Sequence, residues 1–167
     1  MSMERLWSPW RSQYISSIKT TGDDACVFCD ALVAGDDKGR YIVHRGKTAF
    51  IIMNLYPYNN GHLLIIPNRH VAQLDVLGPE ERLELMDLSA MGIALLRESM
   101  GPHGFNLGAN MGRSAGAGIE DHIHLHIVPR WNGDTNFMPV LADTKMISEG
   151  MDATYARLLD ARARLIG

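Results

Sequence analysis

The chain has 167 residues, 46% of them hydrophobic and 21% charged, with a net charge of −3. That describes a globular protein with one core, expected as a single domain over 1–167 with an N-terminal arm over 1–22, and gives no electrostatic footprint for duplex nucleic acid or an anionic membrane. Charges and "WSPW" interrupt the beginning, and Pro57, Asn59, Asn60, Gly61 and Pro67 break the longest uncharged run, so neither a signal peptide nor a membrane span is expected and the location is cytoplasmic.

In chain order, Trp7, Trp10 and Tyr14 anchor a partly irregular arm. Residues 20–40 are rich in turn formers and carry the only two cysteines, Cys26 and Cys29, whose spacing favours a metal or redox role over a disulfide framework. "YIVHRG" and "TAFIIM" read as short strands, "NLYPYNNG" as a turn and "HLLIIP" as the next strand. Pro79 at a first helical position, acids in the first turn and Leu85, Leu88, Leu95 and Leu96 predict one long helix to about Met100. "GFNLGAN" alternates Phe105, Leu107 and Ala109 with smaller or polar residues, predicting a half-buried strand, and Ser148 is the expected cap of a final helix striped by Met151, Tyr155, Leu158 and Leu159. Strands, helix, strand pair and helix in that order give an α+β fold with a mostly antiparallel sheet.

"HIHLHIV" sets three of the seven histidines at alternate positions. On a helix His124 would point away from its neighbours; on a strand over 122–128, stopped by Pro129, all three share one face, with Ile123, Leu125 and Ile127 behind. Three readings follow. Imidazoles two apart can bind a metal that activates water; one can attack an electrophile while its neighbours orient it or protonate what leaves; or all three are hydrogen-bonded structural side chains. The glycine-rich stretch Gly112–Gly118 lies just upstream. Its small residues, with Arg113 and Ser114 as extra donors, suit a phosphate cradle, which would make phosphorus the electrophile.

"HIHLHIV", "NLYPYNNGHLLIIPNRH", "PHGFNLGANMGRSAGAGIEDH" and "VPRWNGDTNF" together resemble the histidine triad nucleotide-binding family, and "RLWSPWRSQYI" resembles the beginning of its bacterial branch related to diadenosine tetraphosphate phosphorylase. The resemblance implies a covalent nucleotidyl-histidine at His124, a phosphate contact and leaving-group protonation by His126, and a fourth histidine at the phosphates, His62. It implies ribose binding by Asn54 and a phosphate neighbour in Asn110. The glycine-rich cradle adds Arg113, Ser114, Gly116, Ala117 and Gly118 as expected substrate-binding residues. For members that bear zinc the resemblance implies a structural site of Cys26, Cys29, His70 and His122; four N/S ligands leave no open position for water. No organic cofactor is implied, and a homodimer is.

In hydrolytic branches a glutamine stands where this chain has Ala117. The lost amide favours inorganic phosphate over water as acceptor, giving ADP and ATP from diadenosine tetraphosphate. Rival functions are a water-using hydrolase or phosphoramidase, a metal-dependent hydrolase with all three imidazoles as ligands, and a non-catalytic nucleotide-binding module. Phe50, Ile51 and Ile52 are candidates for an apolar wall near Asn54.

Overall fold

The computed structural model of the chain describes residues 26–136 and 146–166. The expected arm and its aromatic anchors lie outside them. Five strands form one antiparallel sheet: β1 (Ile42–Arg45), β2 (Ala49–Met53), β3 (Leu63–Pro67), β4 (Gly104–Ala109) and β5 (Leu125–Arg130), in the order β1-β2-β3-β5-β4. Helices α1 (Val27–Val33), α2 (Asp37–Arg40), α3 (Pro79–Met100) and α4 (Met151–Ile166) complete an α+β architecture. No helix among the described residues is long and apolar enough to cross a membrane.

The two faces of the sheet carry different cores, because side chains alternate along each strand. Ile51, Met53, Leu63, Ile65 and Ile127 pack beneath Leu85, Leu88, Leu95 and Leu96 of α3 and Leu158 of α4. Phe50, Ile52, Leu64 and Ile66 point the other way, against Phe28 and Ala31 of α1. The split corrects one expectation: Phe50 and Ile52 lie on the face of α1, while Ile51 belongs to the helix-covered core and cannot line the same wall.

Helix α3 begins and ends as its sequence dictates. Pro79 opens it, Glu81 turns back to accept the Gly78 N–H at 2.7 Å, and Gly101 closes it with φ +58°. Elsewhere tertiary contacts override local signals. The turn-rich 20–40 stretch contains two helices; α1 has no side-chain cap and is held by burial of Phe28 and Ala31 on the sheet. α4 starts at Met151, with the Thr154 N–H on the Gly150 carbonyl, so Ser148 lies ahead of the helix instead of capping it. Its expected stripe is present, with Tyr155 and Leu158 buried. In β4, Leu107 is 44% exposed rather than half-buried, because this strand lies at the sheet's edge.

The histidine segment differs most. Its strand begins at Leu125 and runs through Pro129 to Arg130, so only His126 of the three imidazoles belongs to the sheet ladder. Pro129 is tolerated because β5 is flanked by β3 only at 125–127. The Arg130 carbonyl faces β4, accepting from the His103 N–H, so residue 129 faces the opposite, strand-free side, where its carbonyl accepts from Asn59.

Candidate active site and metal centre

The alternation read in "HIHLHIV" survives although the ladder does not. Ile123 and Ile127 enter the core under α3, and the imidazoles occupy the other face. That face is closed instead of open to solvent: His122 is 0% and His124 5% exposed. The chain at 122–124 is braced by a lateral bond, the Ile123 N–H donating to the Val71 carbonyl at 2.7 Å.

Hydrogen-bond partners fix which ring nitrogens carry protons. His124 Nδ1 lies 2.8 Å from the His122 carbonyl and can only donate, so its Nε2 holds a lone pair. His62, between Gly61 and β3, accepts the Tyr58 N–H on Nδ1 at 3.0 Å, so its proton sits on Nε2. That Nε2 is 3.0 Å from His126 Nδ1, which must accept, leaving the His126 proton on Nε2. The rings of His124 and His126 meet edge to face, with centroids 4.9 Å apart. A nucleophilic lone pair and a proton donor thus stand side by side, the pairing that group transfer to a leaving oxygen requires.

Electrostatics keep the rings of His62 and His124 neutral. Burial, then the neighbouring His126 and His124, pushes the His62 pKa down to about 3. Burial also lowers that of His124, against the opposing pull of its bond to the His122 carbonyl. A buried imidazole without a carboxylate partner resists protonation, and only the unprotonated ring can attack.

Asn54, directly after β2, bonds to His62 through its side-chain nitrogen, 3.2 Å from Nδ1, and its oxygen accepts the Tyr56 N–H. Asn110 and His126 both line a cavity of about 440 Å³ that extends over β4 and the end of β5 to Arg130. The glycine-rich loop uses several of its amides internally. Residues 113–115 form a 3₁₀ turn, and the N–H groups of Ala115, Gly116 and Ala117 donate to carbonyls within the loop. Arg113 pairs with Glu120 at 2.8 Å, Ser114 is exposed, and none of Arg113–Gly118 lines the cavity at His126. As folded here, those amides serve the turn first.

Two aromatic side chains escaped the sequence reading. Phe28, between the cysteines, meets His124 edge-on at 5.1 Å and His122 at 5.6 Å. Tyr58 stacks on His126 at 5.7 Å and an interplanar angle of 18°. Their only signal is position, one inside the Cys-x-x-Cys and one four residues before His62.

The second cluster is Cys26, Cys29, His70 and His122, whose ligand atoms all lie within 4.8 Å of one another. His122 Nε2 donates to the Pro67 carbonyl at 2.8 Å, which turns the Nδ1 lone pair toward Cys26 Sγ at 3.3 Å and Cys29 Sγ at 3.7 Å; His70 Nδ1 is 3.4 Å from Cys29 Sγ. The edges of a tetrahedral zinc site with ordinary bond lengths span about 3.3–3.8 Å, so these residues fit a four-coordinate metal, with a backbone carbonyl orienting the buried histidine. Burial, then the adjoining Cys26, pushes the Cys29 thiol up to about 11; a bound dication reverses that preference. Of the three alternating imidazoles only His122 joins this cluster, and among the described residues no second such group exists. The reading with all three on one catalytic metal therefore finds no geometric support.

Comparison with known proteins agrees with this picture. The HIT domain family matches residues 38–133. The chain is 37% identical over 168 residues to the AP-4-A phosphorylase of Mycobacterium tuberculosis, covering 97% of this chain and 86% of that one. It is 31% identical over 110 residues to an adenosine 5'-monophosphoramidase of Schizosaccharomyces pombe, covering 65% and 74% respectively. Among solved structures, a Zn-bound histidine triad family protein from Mycobacterium smegmatis superposes with a TM-score of 0.65 at 31% identity, covering 84% of this chain and 95% of that one.

Proposed function

The chain belongs to the HIT domain family, and on that footing we propose that it cleaves dinucleoside polyphosphates such as diadenosine tetraphosphate through a nucleotidyl group carried on His124, with inorganic phosphate as the second acceptor. The observation that carries the reading is the tautomer of His124: its Nδ1–H is committed to the His122 carbonyl, so the lone pair on Nε2 is available for attack.

In the first step that lone pair forms an N–P bond to the α-phosphorus while the P–O bond to the departing nucleoside triphosphate breaks. His126 Nε2–H donates a hydrogen bond to the departing oxygen, which leaves as a phosphate anion while His126 keeps its proton, and His62 holds His126 in the donor tautomer. In the second step a phosphate oxygen attacks the same phosphorus, the N–P bond breaks, and neutral His124 is restored. The products are ATP and ADP. Asn54 is assigned to the ribose hydroxyls, Asn110 to the phosphates, and the loop of Arg113, Ser114, Gly116, Ala117 and Gly118 to closing around the phosphates once substrate is bound. Ala117, buried and without an amide, supports phosphate over water, because nothing on it can direct a water molecule.

Cys26, Cys29, His70 and His122 are assigned to zinc, which when bound supplies a structural cross-link and no reactive water. We further place the enzyme in the cytoplasm as a homodimer, for which the outer edge of β4, with exposed Leu107, is a candidate surface.

The test is product analysis with diadenosine tetraphosphate, with and without phosphate, combined with trapping of an acid-labile phosphoramidate on the protein. ADP with ATP, dependent on phosphate, is expected. AMP formed indifferently to phosphate would reassign the acceptor to water, and turnover without any adduct would remove the covalent step.

A further inference from the structure

The sheet order β2-β3-β5-β4 sets the groups around His126 in a row. Asn54 follows β2 and His62 precedes β3 on one side. On the other lies β4, whose Gly108 stands directly opposite His126 and whose Asn106 stands opposite Val128. Directly opposed residues of an antiparallel pair share a face, so Gly108 and Asn106 belong to the imidazole side.

The glycine opposite His126 is what leaves space there. Both residues line the cavity of about 440 Å³, and a Cβ built at Gly108 would have no heavy atom within 4 Å. Gly108 is not among the residues of positive φ, so the backbone does not demand glycine, and the missing side chain matters for the room it leaves.

The lining states what fits. Near His126 the walls are Asn110 and the Tyr58 ring; the far end is Asn106 and Arg130. Arg130 is gripped by both carboxylate oxygens of Asp134, at 2.6 and 2.9 Å, and by Asn106 Oδ1 at 2.9 Å. That end therefore presents fixed polar edges with its cation already neutralised, which suits ribose hydroxyls or a base edge better than phosphate. From His126 to Arg130 the strand advances about 13 Å, at roughly 3.3 Å per residue.

We infer that this cavity is the subsite for the departing nucleotide of a dinucleoside polyphosphate, and that Gly108 sets its size. The inference rests on the reading of His124 as nucleophile. In-line displacement puts the leaving group on the far side of phosphorus from the attacking Nε2. With the retained nucleoside directed to Asn54, the departing half runs past His126 and over β4. Any side chain at position 108 stands in its path.

The test is calorimetric binding of AMP and of diadenosine tetraphosphate to protein carrying His124→Ala, which cannot form the N–P bond, with and without Gly108→Val or Gly108→Ala. AMP has no departing half, so its affinity reports folding and the retained-nucleotide side. AMP binding within about two-fold of the parent is expected, with diadenosine tetraphosphate weakened about ten-fold by valine and less by alanine, as a branched side chain overfills the subsite. Equal weakening of both ligands, or unchanged affinity for both, overturns the assignment. Failure of the His124→Ala parent to bind either ligand would instead overturn the nucleotide reading beneath it.

Discussion

The Nε2–H of His62 donates to Nδ1 of His126 across 3.0 Å, and the other nitrogen of His62 is held by the backbone N–H of Tyr58. The proton on the outer nitrogen of His126 is thus decided two imidazole rings away, at a peptide group. His62 never needs to change its charge to do this.

Replacing His62 by leucine removes the donor while keeping an apolar side chain of similar bulk. Assistance to a departing oxygen contributes about 10²–10⁴ in rate, and His62 acts only through the hydrogen bond that His126 donates, so kcat is expected to fall about 10²-fold with KM changed little. His62→Gln, whose amide can both accept and donate, recovers part of the loss. Equal activity in the two variants would show that volume alone matters at this position.

The same side chain makes stability depend on pH. Its folded pKa, about 3, is below the ordinary 6.5, so between these values the unfolded chain binds a proton that the folded chain does not. Stability is therefore fully present above pH 6.5 and is lost as pH falls toward 3, by about 3–5 kcal/mol from this buried group. Urea titrations at pH 7, 5 and 4 measure the slope, and His62→Gln should flatten it. An unchanged slope would assign the effect to other groups.

Phe28 is 6% exposed and touches both His122 and His124. Phe28→Ala is expected to cost about 3–4 kcal/mol, the ordinary price of truncating a buried phenylalanine. Because the cavity opens beside His124, the proposed nucleophile, kcat should fall more than stability alone explains when assayed well below the melting temperature. Full activity under those conditions would confine Phe28 to packing.

Metal content is expected at one zinc per chain, lost in Cys29→Ser. As a loop-closing cross-link the ion is worth roughly 3 kcal/mol, so its loss lowers Tm by about 6–12 °C in a chain of this size. Elemental analysis and thermal denaturation measure both. Turnover that persists in metal-depleted, still folded protein agrees with a structural ion; turnover that vanishes without any change in Tm would point to a catalytic one.

What could be read in advance depended on whether local chemistry or distant contact decided the conformation. α3 was legible nearly to its ends, because Pro79, the early acids and the leucine spacing all act within a few residues; its stop at Gly101 was not read in advance. "HLLIIP" gave β3 for the same reason: its apolar run needs only to be buried on both sides. α1 was hidden in turn-forming residues because its stability comes from Phe28 meeting strands far along the chain. The alternation in 122–126 revealed a shared face but not where the ladder begins, since the Val71 carbonyl, not a neighbouring strand, braces residue 123. The four sulfur and nitrogen donors came through a family likeness, and their spacing alone left the set open. The glycine-rich loop suggested open amides, but three of them are used within the turn.

His122 faces two ways: its ring reaches the thiols while its carbonyl steadies the ring of His124. Position 122 is therefore a mechanical joint between a clamp and a blade. A substitution on the sulfur side is thus carried to the ring of His124 through a single residue, although no atom of the His124 side chain has been altered.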